Sequence, residues 1–584
     1  MKRFIISAIL LVVTSFAFAA ERIRMEIPAD MLETDCLFGS RLVRVNRPSG
    51  KAYSDGQMKE QPVLVRLRNE GNEYITMTQI GNTDSEGITW KTRNETFATE
   101  RFRIISINDG KYTVDMTEFL SSYPLLVSVI TPKDLKGNAA NYEIRNSSKS
   151  DGYISILLDY SYPDALHARV NFFFRKLRPN ALSFKGVDAD KVGYESLEYR
   201  NSKGERCYKP YRWDLSAGRQ IVFYVDNAFP KEWFPYIKEG LEDWNKAFQA
   251  IGMGSPVVVL PENDGVDRNS ALVNMVRFVN SAEANAKGQC YVDPRSGEIL
   301  QADILWWKGA LKLMCDWRYL QTGAADPAAR QLEYPLEMIG PMVRHAMCHE
   351  MGHVLGLSHN MGGSWAYTPE QLKSPEFTAK YGTTASVMDY ARYNHIATPE
   401  DVKAGVNMLP PRLGPYDMYA IAAGYAKEDV QPGEYCFFSP FISAAISPDP
   451  SSQAETLGND IIKSSDKGLY NCLQLLLSDG LTKERVDLIQ KQYYRYIHLS
   501  LSNLGGTVHR DPVSLVKEIQ TLNFVFRGLE DCPQAIYDKD AEKNILNELN
   551  GKFLPKRISD NNGSKALKAY QKVLKYRKKK FTHK

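Results

Sequence analysis

The chain has 584 residues, 43% hydrophobic and 24% charged, with 73 Lys and Arg against 69 Asp and Glu. That length predicts several domains, each able to bury a core. The formal charge of +4 falls to +2 once Lys2 and Arg3 are removed with residues 1–20; this near balance points to no acidic partner and to no nucleic acid.

The first twenty residues read Met1-Lys2-Arg3, an apolar run from Phe4 to Phe18, and Ala17-Phe18-Ala19. A basic start, an apolar core and a small-x-small site predict a signal peptide over 1–20, cut after Ala19 or Ala20; an uncleaved anchor is the alternative. No later run is long and apolar enough to span a bilayer, so no stable membrane insertion is expected. The expectation is an exported protein: secreted, periplasmic or at the cell surface. Eight cysteines, at 36, 207, 290, 315, 348, 436, 472 and 532, are even in number and allow disulfides in an oxidising compartment. Their wide spacing fixes no pairing and forms no Cys-x-x-Cys pattern.

Residues 21–212 read as a β-rich N-terminal domain. Val63 to Arg68, a turn over Asn69 to Asn72, and Glu73 to Ile80 form one predicted hairpin. Phe102 to Ile107, Asn108-Asp109-Gly110, and Lys111 to Met116 form another. Tyr153 to Tyr160 and Ala168 to Arg175 add strands, and His167 reads as structural. From 213 to 430 strands alternate with helices. Ile221 to Val225 is a short strand; Pro230 opens a helix whose apolar residues Ile237, Leu241, Trp244, Phe248 and Ile251 recur at helical spacing until Gly252. Val257 to Leu260 and Val273 to Val279 are further strands. Tyr291-Val292-Asp293, a Pro-Arg-Ser-Gly turn and Ile299 to Trp307 form a hairpin.

A helix is predicted from near Pro341 to Gly356, and it carries His349-Glu350-Met351-Gly352-His353. His349 and His353 are four apart, so they share a helix face, and two imidazoles there can grip one zinc ion. Glu350 lies beside the first of them and can reach a water on the metal. His359 would point away on a straight helix, but Gly356 can take a left-handed backbone and swing it back. With nine histidines in the whole chain, three at this spacing make a metal site the strongest reading. His345 shares the face and reads as a packing or supporting residue, with a fourth ligand as the alternative. Residues 360–384 read as largely loop. Residues 431–584 read as mostly helical, with segments from Lys483, at Val513 to Phe526 and at Lys565 to Tyr576 in a basic tail.

The run from His349 to His359 resembles the signature of the metzincins, a clan of zinc peptidases. Ser386-Val387-Met388-Asp389-Tyr390 looks like their tight turn, with Met388 beneath the zinc, where a flexible thioether fills irregular space. Ile221 to Gly252, Val292 to Ile299, Lys380 to Arg392 and Gly414-Pro415-Tyr416-Asp417 are similar to large secreted bacterial zinc-dependent metalloproteases with a β-rich domain of unknown function in front. The implied fold is multidomain α+β: the β-rich domain, a metzincin-like α/β catalytic domain with a mixed twisted sheet and active-site helix, then the helical region. The implied function is a secreted zinc-dependent endopeptidase acting on protein or peptide substrates. Zn2+ would be held by His349, His353 and His359, with Glu350 as general base. Tyr390 stands where some metzincins place a tyrosine that stabilises the oxyanion; a packing role is the alternative. The resemblance further implies that Ile299 to Trp307 forms the upper rim of the cleft, with an ordinary inner strand as the alternative. The competing function is an exported binding or adhesion protein with a structural or inactive zinc site. Cys207 does not match a latency switch, and nothing in the sequence sets calcium use or oligomeric state.

Overall fold

The computed structural model describes residues 21–46, 55–58, 61–80, 82–83, 89–90, 99–121, 141–162, 167–200, 203–440, 449–504 and 512–549. The predicted signal peptide and the tail segment Lys565 to Tyr576 lie outside the described residues. The chain forms two compact units: Met1–Ile80 with Thr96–Pro179, and Gly81–Glu95 with Asn180–Lys584.

The first unit is a nine-stranded antiparallel sheet. Its order is Arg24–Pro28, Lys111–Asp115, Thr99–Asn108, Tyr74–Gln79, Val63–Glu70, Asp35–Asn46, His167–Lys176, Tyr153–Ser161, Asn141–Ser150. Both predicted hairpins form. Asp109 and Gly110, at φ 47° and 71°, supply the left-handed pair that a two-residue hairpin turn needs. Alternation puts Phe38, Phe102, Phe172 and Phe174 on one buried face. The sheet curls until its edges approach: Tyr142 OH donates to the Glu21 carbonyl at 2.8 Å, and Lys149 pairs with Glu26 at 2.8 Å. His167 Nδ1 lies 3.0 Å from Ser161 Oγ, a local contact.

The second unit is built on a five-stranded mixed sheet, ordered Val257–Pro261, Ile221–Val225, Asn274–Val279, Ile299–Trp307, Ala286–Val292, with only the last strand antiparallel. The predicted helix after Pro230 is three pieces: a 3-10 turn at Lys231–Trp233 and helices Phe234–Glu242 and Asn245–Ala250. The apolar stripe survives the break, with Ile237, Leu241, Trp244 and Phe248 all buried, and Gly252 closes it at φ 76°. Ile299–Trp307 lies inside the sheet, so it is not the rim strand; the edge is its hairpin partner Ala286–Val292. Eight of its positions are buried, buried Gln301 and Asp303 among them, as in a strand covered on both faces.

The compact boundary falls at Pro179, not at Arg212. The β pattern continues past Pro179 in the hairpin Ser196–Arg200 and Arg206–Pro210, but this segment bonds to the second unit. Gly193 N–H donates to Tyr416 OH at 3.0 Å, and buried Arg212 donates to the Gly424 carbonyl at 2.6 Å. The C-terminal helices Ile461–Leu476, Lys483–Ser500, Pro512–Glu530 and Lys539–Glu548 form no unit of their own. Their core takes in Tyr319 and Leu320 from the helix Ala310–Thr322, which also borders the metal cleft. Residues 360–384 are more ordered than a loop, with helices Gly362–Trp365 and Pro375–Tyr381. None of the eight cysteines forms a disulfide.

Candidate metal centre

The site stands on the helix Leu336–Val354, which starts before the predicted Pro341 and carries that proline in its second turn. Proline there removes the backbone donor that would bond the Glu337 carbonyl, one turn from the helix start. Met342, Val343, Met347, Met351 and Val354 are buried and fix the rotation of the helix. It packs closely on Phe234–Glu242: a Cβ on Gly240 would come 2.5 Å from the Arg344 carbonyl oxygen. Arg344 forks onto Asp243 with two bonds of 2.8 Å, and Trp244 Nε1–H donates to the Cys348 carbonyl at 2.8 Å.

Gly356 ends the helix as the sequence predicts. Its φ is +95°, and a Cβ there would overlap the Tyr211 carbonyl. The last helical carbonyls are capped from the segment before the sheet: Trp213 Nε1–H donates to Val354 O at 2.7 Å, and Glu195 N–H to Gly356 O at 2.8 Å. His359 thereby returns to the helix. The ligand atoms of His349, His353 and His359 lie within 4.8 Å of one another, a cluster found once among the described residues. His353 Nε2 and His359 Nε2 are 3.2 Å apart.

The outer ring nitrogens are held. His349 Nδ1 meets the Val387 carbonyl at 2.7 Å, and His353 Nδ1 meets the Leu357 carbonyl at 2.9 Å. Carbonyls only accept, so the hydrogens belong on Nδ1 and the Nε2 lone pairs face the shared point. Burial pushes His353 down to about 4 and His359 down to about 3, and holds His349 well below the ordinary range. Neutral imidazoles with converging lone pairs fit a divalent metal such as zinc. His345 borders the same cleft but is outside the cluster; its Nδ1 is 3.0 Å from the Pro411 carbonyl, a supporting position. Cys348 is buried in the helix core, and burial raises its thiol well above the ordinary range.

Glu350 is buried against the edge strand, where its Oε2 accepts the Gly288 N–H at 2.6 Å. Burial pushes its carboxyl up to about 7, although that hydrogen bond pulls the other way. Gly288 is needed for the approach, since a Cβ would come 2.6 Å from the Glu350 carbonyl oxygen and 2.9 Å from His353 Cβ. The cleft between helix and strand measures ≈ 440 Å³, and Asn285 to Cys290, Glu350, the three histidines and Tyr390 all line it.

Met388 is fully buried beneath the helix, and a Cβ on Gly352 would strike its sulfur. The glycine inside the histidine motif thus makes room for the turn. The turn is held by Asp417 of the Gly414 to Asp417 stretch. Its carboxylate accepts Ser386 Oγ–H at 2.7 Å, Val387 N–H at 2.7 Å and Gly414 N–H at 2.8 Å. Since the Val387 carbonyl meets His349, Asp417 positions a member of the triad from one residue away. The ring of Tyr390 lies 4.5 Å from that of His359 and 5.8 Å from that of His349. Sequence reasoning left Trp213, Glu195, Asp417 and the edge strand without a role. Only Gly352, inside the motif, and Asp417, inside a quoted stretch, carried a local signal.

With this geometry the comparisons agree. Residues 331–526 match the family described as Met-zincin, which supports kinship with the metzincin clan of zinc peptidases. The match starts just before the helix Leu336–Val354 and runs through Ile461–Leu476 and Lys483–Ser500, the helices that share a core with Ala310–Thr322. No curated protein and no solved structure matches the chain.

Proposed function

We propose that the protein is a zinc-dependent endopeptidase, with His349, His353 and His359 holding the metal and Glu350 acting as general base. The observation that carries this reading is the convergence of three imidazoles with a buried carboxylate in one cleft. Zinc bound there supplies Lewis acidity to a water and to the scissile carbonyl. Glu350 takes the proton of the attacking water and returns it to the leaving amine. The Tyr390 hydroxyl donates to the oxyanion, a role its ring position beside His359 supports. An extended peptide lies along Ala286–Val292, the outer strand of the sheet that lines the cleft. The amino-terminal pattern supports export, and among the described residues no helix is long and apolar enough to cross a membrane. N-terminal sequencing of the protein recovered outside the cytoplasm checks this: a start at Ala20 or Glu21 is expected, and Met1 would contradict it.

The test of the catalytic assignment is Glu350→Gln. Zinc content should stay unchanged, and peptide cleavage should fall about 10²- to 10⁴-fold. Equal activity in both proteins would overturn Glu350 as the base.

A further inference from the structure

Arg392 lines the metal cleft two residues beyond Tyr390. Its guanidinium lies over two rings, with Cζ 4.0 Å from the centre of Trp317 and 4.4 Å from that of Tyr390. Tyr390 in turn packs on His359 at 4.5 Å, so the cation stands one ring away from the histidine triad. Among the described residues no carboxylate pairs with it, and its Nε is buried without a hydrogen-bond partner. The nearby carboxylates are engaged elsewhere: Glu455 with Arg495 at 2.9 Å, Asp389 with the N–H groups of Ser364 and Ala391, and Glu350 with Gly288. The same cleft is also lined by the apolar side chains of Leu313, Met314 and Ala346 and by Tyr393.

A guanidinium packed against two rings has little further freedom to lose, and its planar fork of donors matches a carboxylate. A half-buried cation whose neighbouring carboxylates are all engaged elsewhere favours an anion on its open side, which is the substrate cleft. We propose that Arg392 selects substrates by a carboxylate next to the cleaved bond, either an Asp or Glu side chain or the free C-terminus of the peptide. This rests on the peptidase reading above. Apolar walls contact the methylene groups of an acidic side chain while Arg392 takes its end, and an amide of the same shape would leave a donor unpaired.

The test uses the full zinc-loaded protein and matched short quenched peptides differing only by Glu, Gln, Asp, Asn or Ala at each position around the bond. Each peptide is made with a free and an amidated C-terminus. Wild type should cleave a carboxylate peptide at least about tenfold faster in kcat/KM than its amide isostere at one position. Arg392→Gln should level the two, and Arg392→Lys should fall between. Preference that follows the side chain names an acidic residue; preference that follows the free end names the terminus. Zinc content and a melting curve accompany each variant, and a misfolded Arg392→Gln leaves Arg392→Lys to carry the comparison. If no peptide is cleaved, the peptidase reading fails, and Arg392 is judged by the anisotropy of labelled forms of the same peptides. Tighter carboxylate binding, lost in the variant, would then support it. Equal rates or equal binding for carboxylate and amide at every position, or a preference that survives in Arg392→Gln, overturns the proposal.

Discussion

Replacing Gly356 by alanine tests how the third histidine is brought to the site. Two separate costs meet at this position. The backbone sits at φ +95°, a region that disfavours a Cβ by about 1–2 kcal/mol. The added Cβ would also overlap the Tyr211 carbonyl oxygen and lie 3.0 Å from its carbon, both backbone atoms. Relieving such overlap costs about 1–3 kcal/mol, through movement of either Tyr211 or the chain that leads to His359. The total for Gly356→Ala is about 2–5 kcal/mol. Gly252→Ala is the control: Gly252 also has positive φ, at +76°, but a Cβ there meets nothing within 4 Å. It should cost about 1 kcal/mol. Urea unfolding of the metal-free proteins measures the stability difference, and titration against a zinc buffer measures affinity. Gly356→Ala should unfold at clearly lower urea and lose at least about tenfold in zinc affinity, while Gly252→Ala keeps wild-type affinity. Equal behaviour of the two variants would refute the argument that the Gly356 turn seats His359 on the metal.

Asp417→Ala strands a hydroxyl and two buried N–H groups; it should cost about 3–5 kcal/mol in thermal or urea unfolding and loosen zinc binding, whereas Asp417→Asn should cost less. Gly352→Ala should destabilise by about 1–3 kcal/mol because its Cβ meets Met388 and Trp244, and Met388→Ala in that background should recover part of the loss. His395 is buried, with Nε2 2.9 Å from Ser464 Oγ, and burial pushes it down to about 4. Its folded value lies below the unfolded one of about 6.5, so the unfolded chain binds the extra proton between them. Stability is full above about pH 6.5 and falls by up to roughly 3 kcal/mol as pH drops toward 4; His395→Gln should flatten that slope in urea unfolding measured against pH.

The histidine cluster was legible because a helix turns a spacing of four into one face, and because glycine tolerates the backbone that brings His359 home. The hairpins of the first unit were legible for a similar reason, with Asn108-Asp109-Gly110 naming its own turn. Long-range relations were not. The β hairpin before Arg212 looks in sequence like more of the first unit, yet Trp213 and Glu195 cap the active-site helix, and no local pattern announces a partner about 140 residues away. The apolar strand Ile299–Trp307 drew attention as a rim, whereas the edge is the polar, glycine-bearing Ala286–Val292. Gly288 tells its purpose only once Glu350 is seen against it. The C-terminal helices were read from their periodicity, but their shared core with Tyr319 and Leu320 depends on contacts that periodicity does not encode.

The most direct measurement of the central claim is the metal content of folded protein never exposed to chelator, for wild type and His353→Ala, paired with peptide cleavage before and after chelation. The account predicts about one zinc per wild-type chain, loss of that zinc in the variant, and cleavage that stops with chelator and returns with added zinc. A folded wild type without zinc, or a His353→Ala variant that keeps both metal and activity, would contradict it.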